Sequence, residues 1–110
     1  MTPVEFRRHL HRHPELSFRE TESARFIAEA LREAGIPCRP IAGTGVLAKI
    51  EGRGDLRRAV VLRADIDALP IREQSGAAWS SENDGVMHAC GHDGHTAIEL
   101  GLAEETARMI

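Results

Sequence analysis

The run Ala59-Val60-Val61-Leu62-Arg63-Ala64-Asp65-Ile66-Asp67-Ala68-Leu69-Pro70 decides how this chain of 110 residues is to be read. Its first six residues are apolar except for Arg63, the pattern of a strand covered on both faces rather than one alternating between core and water. Two carboxylates, Asp65 and Asp67, then emerge at the strand's end. Spaced by two, they face the same side if the extended backbone continues. Adjacent like charges repel unless a cation neutralises them. The pair therefore reads either as support for a metal site or as a solvated strand end closed by Pro70.

Working outward, Gly45-Val46-Leu47-Ala48-Lys49-Ile50 reads as a partner strand, separated from the first by the turn Glu51-Gly52-Arg53-Gly54-Asp55. Upstream the texture is helical. Thr2-Pro3-Val4-Glu5 combines a capping residue, a proline at the first helical position and the Glu of a capping box. That helix should stop before Pro14. A second helix fits from about Arg19 to Ala34, with Ala24, Ile27, Leu31 and Ala34 at helical spacing, Phe26 and Ala30 broadening the face, and Gly35 as its stop. Downstream, residues 72–86 are polar and read as a loop. A last helix is predicted from about Gly94 to the end of the chain, with Ile98, Leu102 and Met109 on one side. Helices, then strands, then a helix: the class is α/β, helices packed on a mixed sheet.

The bulk numbers narrow the function. A hydrophobic fraction of 42% and a charged fraction of 28% suit a globular chain, and the net charge of −3 lacks the clustered basic face of a nucleic-acid binder. No apolar stretch approaches the roughly 18 residues needed to span a bilayer, and residues 1–10 lack the apolar core of a signal peptide. The expectation is a cytoplasmic protein in which Cys38 and Cys90 stay reduced, Cys38 as a lone buried or half-buried thiol.

The second informative run is His88-Ala89-Cys90-Gly91-His92-Asp93-Gly94-His95. Five of its eight residues are potential metal ligands: His88, Cys90, His92, Asp93 and His95. Gly91 and Gly94 let the backbone bend so that several can converge. Thiolate with imidazole suits zinc or another borderline divalent ion. In extended backbone Cys90 and His92 would point to one side. The bland reading is a cluster of half-exposed histidines, but five ligand-type residues in eight weigh against it. The spacing does not match a structural zinc finger, which needs a second ligand pair nearby. A third run, His9-Leu10-His11-Arg12-His13-Pro14-Glu15-Leu16, sets His9 and His13 four apart, yet without the internal Glu of a metalloprotease helix. A structural role at the helix end is the better reading there. Glu104-Glu105 reads as solvated helix charge.

Taken together, these segments, with Gly43-Thr44-Gly45-Val46 and Thr96-Ala97, resemble the N-terminal part of an M20-type metallopeptidase. The similarity is greatest to the branch of amidohydrolases that act on N-acyl amino acids, hippurate and auxin conjugates. The resemblance implies that residues 1–110 form the N-terminal part of a zinc-peptidase-like catalytic domain, the remainder of that domain and a dimerisation domain being absent. It implies two divalent ions in the full enzyme (zinc or manganese, with cobalt possible), Cys90 and His92 as ligands, and Asp67 as the carboxylate that orients a ligand or tunes the site. Asp65 stands where other M20 branches have a ligand His. The implied substrate is a small N-acyl amino acid and the full-length enzyme a homodimer. The family's Glu-Glu pair, which supplies the general base, and its further His ligands have no counterpart here. The expectation is therefore a fragment inactive by itself. The alternative is a truncated paralogue that binds metal or pairs with a subunit without catalysis.

Overall fold

The computed structural model describes residues 1–110. It contains α1 (Pro3–Arg12), α2 (Thr21–Glu33), the hairpin strands β1 (Cys38–Ile41) and β2 (Gly45–Ala48), and α3 (His92–Met109). The α/β class stands, with three helices and an antiparallel pair in place of the mixed sheet.

The capping box predicted for α1 is formed. The Thr2 hydroxyl accepts from the Glu5 N–H at 3.1 Å and the Glu5 carboxylate accepts from the Thr2 N–H at 3.1 Å. α2 takes its cap from a distance. Its own N-cap residue, Glu20, makes no such bond, and the Glu15 carboxylate instead receives the N–H groups of Glu22 at 3.2 Å and Ser23 at 2.6 Å. At the other end the N–H of Gly35 bonds the Arg32 carbonyl and that of Ile36 the Leu31 carbonyl, both at 2.9 Å. This is a Schellman ending, with Gly35 at φ +76° and Ile36 and Leu31 both buried.

β1 pairs with β2 from Cys38 opposite Ala48 to Ile41 opposite Gly45. The sequence reading missed β1 because Arg39 and Pro40 disguise it, and Pro40 is tolerated because each strand of a two-stranded sheet is an edge. A Cβ at Gly45 would stand 2.8 Å from the Ile41 carbonyl oxygen, so the hairpin closes only around glycine there.

The core is a single cluster: Phe6 and Leu10 of α1, Ile27 and Leu31 of α2, Ile36, and Ala97 and Leu100 of α3. The Phe6 and Phe26 rings stack with centroids 4.6 Å apart. Cys38 and Val46 of the hairpin pack against this cluster, Cys38 as a half-buried free thiol.

Three expectations are corrected. Residues 59–64 form no strand and make no backbone hydrogen bond. Val60 is 90% and Val61 82% exposed. A strand needs a hydrogen-bonded neighbour as well as covered faces, and β1 and β2 pair only with each other. α3 starts at His92, two residues earlier than predicted, because Gly91 adopts φ +85° and turns the chain directly into the helix. The stripe Ile98, Leu102 and Met109 lies on the outer face of α3, while Asp93, Thr96, Ala97 and Leu100 face the interior. The loop reading for residues 72–86 holds, and it is pinned by the bridge between Leu69 and Met87. No helix is long and apolar enough to cross a membrane.

Candidate metal centre

The two informative runs meet at His92. As the first residue of α3 it is carried past the end of the Asp65–Asp67 segment. Its Nδ1 lies 2.9 Å from the Asp67 carbonyl oxygen and 3.0 Å from Asp67 Oδ1. Both partners are acceptors, so Nδ1 carries a proton and donates, which leaves Nε2 as the ring nitrogen able to offer a lone pair. Nε2 has no hydrogen-bond partner, and Asp65 Oδ2 stands 3.9 Å away. Asp65 is itself held from two sides: its carboxylate pairs with Arg63, and its carbonyl accepts from the Thr96 hydroxyl at 3.1 Å.

The other members of the His88–His95 run diverge. Cys90 is exposed, as is His95, whose ring centroid is 6.2 Å from that of His92. The extended Cys90-x-His92 geometry is absent, because left-handed Gly91 intervenes. His88 is only 4% exposed, and neither ring nitrogen has a partner. Burial pushes its pKa down and so favours the neutral ring. Asp93, 1% exposed, turns inward and accepts from Arg7 Nε at 2.8 Å, with His11 Nδ1 also at 2.8 Å. Glu104 and Glu105 lie far along α3, Glu105 paired with Arg108 at 3.2 Å on the surface. The His9 and His13 rings lie 4.6 Å apart and tilted, and His9 stacks on Phe26 at 3.8 Å, in keeping with the structural reading.

His92 meets the requirement for an imidazole ligand: one nitrogen anchored on a carboxylate and carbonyl, the other free to accept an ion. With the exposed Cys90 thiol two residues away, the donors fit a borderline divalent ion. They form one wall, since no group of three or more His, Cys, Asp and Glu side chains is placed to hold an ion together.

The sequence reading missed His11 and Glu73. His11 Nε2 lies 3.0 Å from both oxygens of Glu73. The helical spacing of Arg7 and His11 was visible; their shared partner Asp93, 82 residues beyond His11, was not.

The sequence profile of peptidase family M20/M25/M40 matches residues 61–110. The chain is 54% identical to an N-acetyl-L-cysteine deacetylase of Bacillus subtilis over 91% of its own length and 24% of the relative's. It is 49% identical to an N-acyl-L-amino acid amidohydrolase of Geobacillus stearothermophilus, covering 92% of this chain and 27% of that one. Among solved structures it superposes on the Bacillus subtilis YXEP protein, a dinuclear metal-binding peptidase of the M20 family. That match has a TM-score of 0.89 and 46% identity, and covers 97% of this chain and 30% of the other. The chain matches the N-terminal part of the M20 metallopeptidases of the amidohydrolase branch, and spans about a quarter of the length of the curated relatives.

Proposed function

We propose that these residues form the N-terminal part of the catalytic domain of a metal-dependent amidohydrolase that cleaves the amide bond of N-acyl amino acids. Cys90 and His92 are the ligands this chain contributes to a pair of divalent ions, zinc or manganese, with cobalt as a substitute. Asp67 fixes the tautomer and direction of His92. The observation that carries the reading is the His92 ring, with Nδ1 committed to Asp67 and Nε2 left free. A divalent ion bound there supplies Lewis acidity toward the amide carbonyl and an acidified water. Asp67 keeps the His92 proton on Nδ1, and its charge makes Nε2 a better donor. Asp65, held by Arg63 and Thr96, keeps a second carboxylate on the same face.

In this proposal the rest of the catalytic domain, including its general base, and a dimerisation domain would come from residues outside the stretch matched here. Loss of a general base costs about 10²–10⁴-fold in rate, so this chain alone should bind an ion weakly and turn over nothing. The compartment we propose is the cytoplasm, where the unpaired thiols of Cys38 and Cys90 stay reduced.

Titrating the chain with cobalt tests the site. Thiolate-to-cobalt absorbance is expected in the parent and should vanish in both Cys90→Ala and His92→Ala. Its absence from the parent would overturn the ligand assignment. Turnover of hippurate or N-acetyl amino acids abolished by Cys90→Ala would overturn the claim of inactivity. Stable stoichiometric metal without turnover, even when the remaining segments of a longer relative are joined to the chain, would establish the non-catalytic alternative.

A further inference from the structure

Behind His92, on the inner side of α3, lies a buried polar assembly that the ion chemistry does not use. His11 is 4% exposed and is clamped at both ring nitrogens, Nδ1 on Asp93 at 2.8 Å and Nε2 on Glu73 at 3.0 Å. Two carboxylate acceptors on one ring are both satisfied only by an imidazolium, which carries an N–H on each nitrogen. Asp93 also takes Arg7. Glu73 in turn holds its own loop, accepting from the Ser75 hydroxyl and from the Ser81 N–H at 2.7 Å. Burying the three side chains His11, Asp93 and Glu73 is costly compared with apolar packing, and position is the return best attested for such networks.

The start of α3 needs that return. Its N-cap is Gly91, at φ +85°, which has no side chain to satisfy the first N–H groups of the helix. The first turn is instead tied by His92 to Asp67, by Asp93 to His11 and Arg7, and by Thr96 to Asp65. Of these, the Asp93 tie alone reaches across to α1, and it is the most deeply buried.

We infer that His11 is a positioning residue for the metal centre: through Asp93 it holds the first turn of α3, and with it the direction in which His92 presents Nε2. This rests on the reading of His92 as a ligand, and it assigns the work to the Nδ1 side of His11. The Glu73 side anchors His11 itself.

Two substitutions separate the sides. The amide of His11→Asn reproduces the Nδ1 donor toward Asp93; that of His11→Gln reproduces the Nε2 donor toward Glu73. Ring ¹⁵N shifts of His92 in the metal-free chain report its tautomer, and competition with a chelator reports cobalt affinity. The Asn variant should keep the parent's His92 shifts and affinity. The Gln variant should move the shifts toward an average of the two tautomers and weaken cobalt about tenfold or more. Equal behaviour of the two variants, or a lowered melting temperature with His92 shifts and affinity unchanged in both, would overturn the inference. Should the Gln variant not fold, Asp93→Asn takes its place, with a smaller displacement of the His92 shifts in the same direction; unchanged shifts would again overturn it. If the parent binds no cobalt, the ligand reading fails, and the metal-free ring shifts still decide whether His11 positions His92.

Discussion

Glu73 shows how a single side chain couples burial to charge. Burial alone would raise its pKa, but hydrogen bonds from Ser75, His11 and the Ser81 N–H, with the charge of His11, bring it down to about 2 from an ordinary 4.5. A carboxyl that is more acidic when folded adds stability that is complete above pH 4.5 and is lost as pH falls toward 2. Denaturant titrations at a series of pH values should show that loss in the parent and a shallower one in Glu73→Gln; identical slopes would mean the contacts leave the carboxyl unperturbed. At this scale the sequence was uneven as a guide. Asp67, Cys90 and His92 sit in short runs whose composition announces ligands, and the structure brings Asp67 to His92. His11 gave no such signal, because its meaning lies in carboxylates 62 and 82 residues away.

Among elements, those built on local chemistry were legible. The capping box wrote the start of α1, and Gly35 wrote the end of α2. At Gly35 a Cβ would meet nothing within 4 Å, so the left-handed backbone at φ +76° is the whole obstacle to a side chain. Gly35→Ala should therefore cost about 1–2 kcal/mol, read from the urea midpoint with an unchanged slope. A cost near zero would show that Ile36 alone holds the Schellman ending. Elements that depend on distant partners were misread. β1 hides behind Pro40 and exists because β2 pairs with it. The helix α3 begins at His92 because Gly91 turns there and because Asp67 and His11 hold its first residues, none of which helical periodicity reports. The run 59–64 has the composition of a strand but no neighbour to complete one.

At the scale of the whole molecule, that missing neighbour has a measurable consequence. The chain exposes 7608 Å², against about 6,000 Å² for a folded monomer of 12.1 kDa. Its radius of gyration is 14.7 Å, against about 13 Å for this length. The excess includes large apolar groups: Val60, Val61 and Leu62 on a segment with no backbone partners, and Ile98 and Leu102 along the outer face of α3. An apolar segment with free N–H and C=O groups is a template for pairing with another chain. At rising concentration the protein should therefore self-associate, with sedimentation velocity showing a growing fraction of larger species. Val61→Lys should reduce that fraction, because a charge on a pairing strand disfavours a second strand beside it. The same substitution should leave the monomer's stability within about 0.5 kcal/mol, since Val61 is 82% exposed and contributes nothing to the cluster around Phe6. A single monomeric boundary at every concentration would show that the segment is not adhesive. Association undiminished by Val61→Lys would move the adhesive surface to the outer face of α3, where Leu102→Lys provides the corresponding measurement.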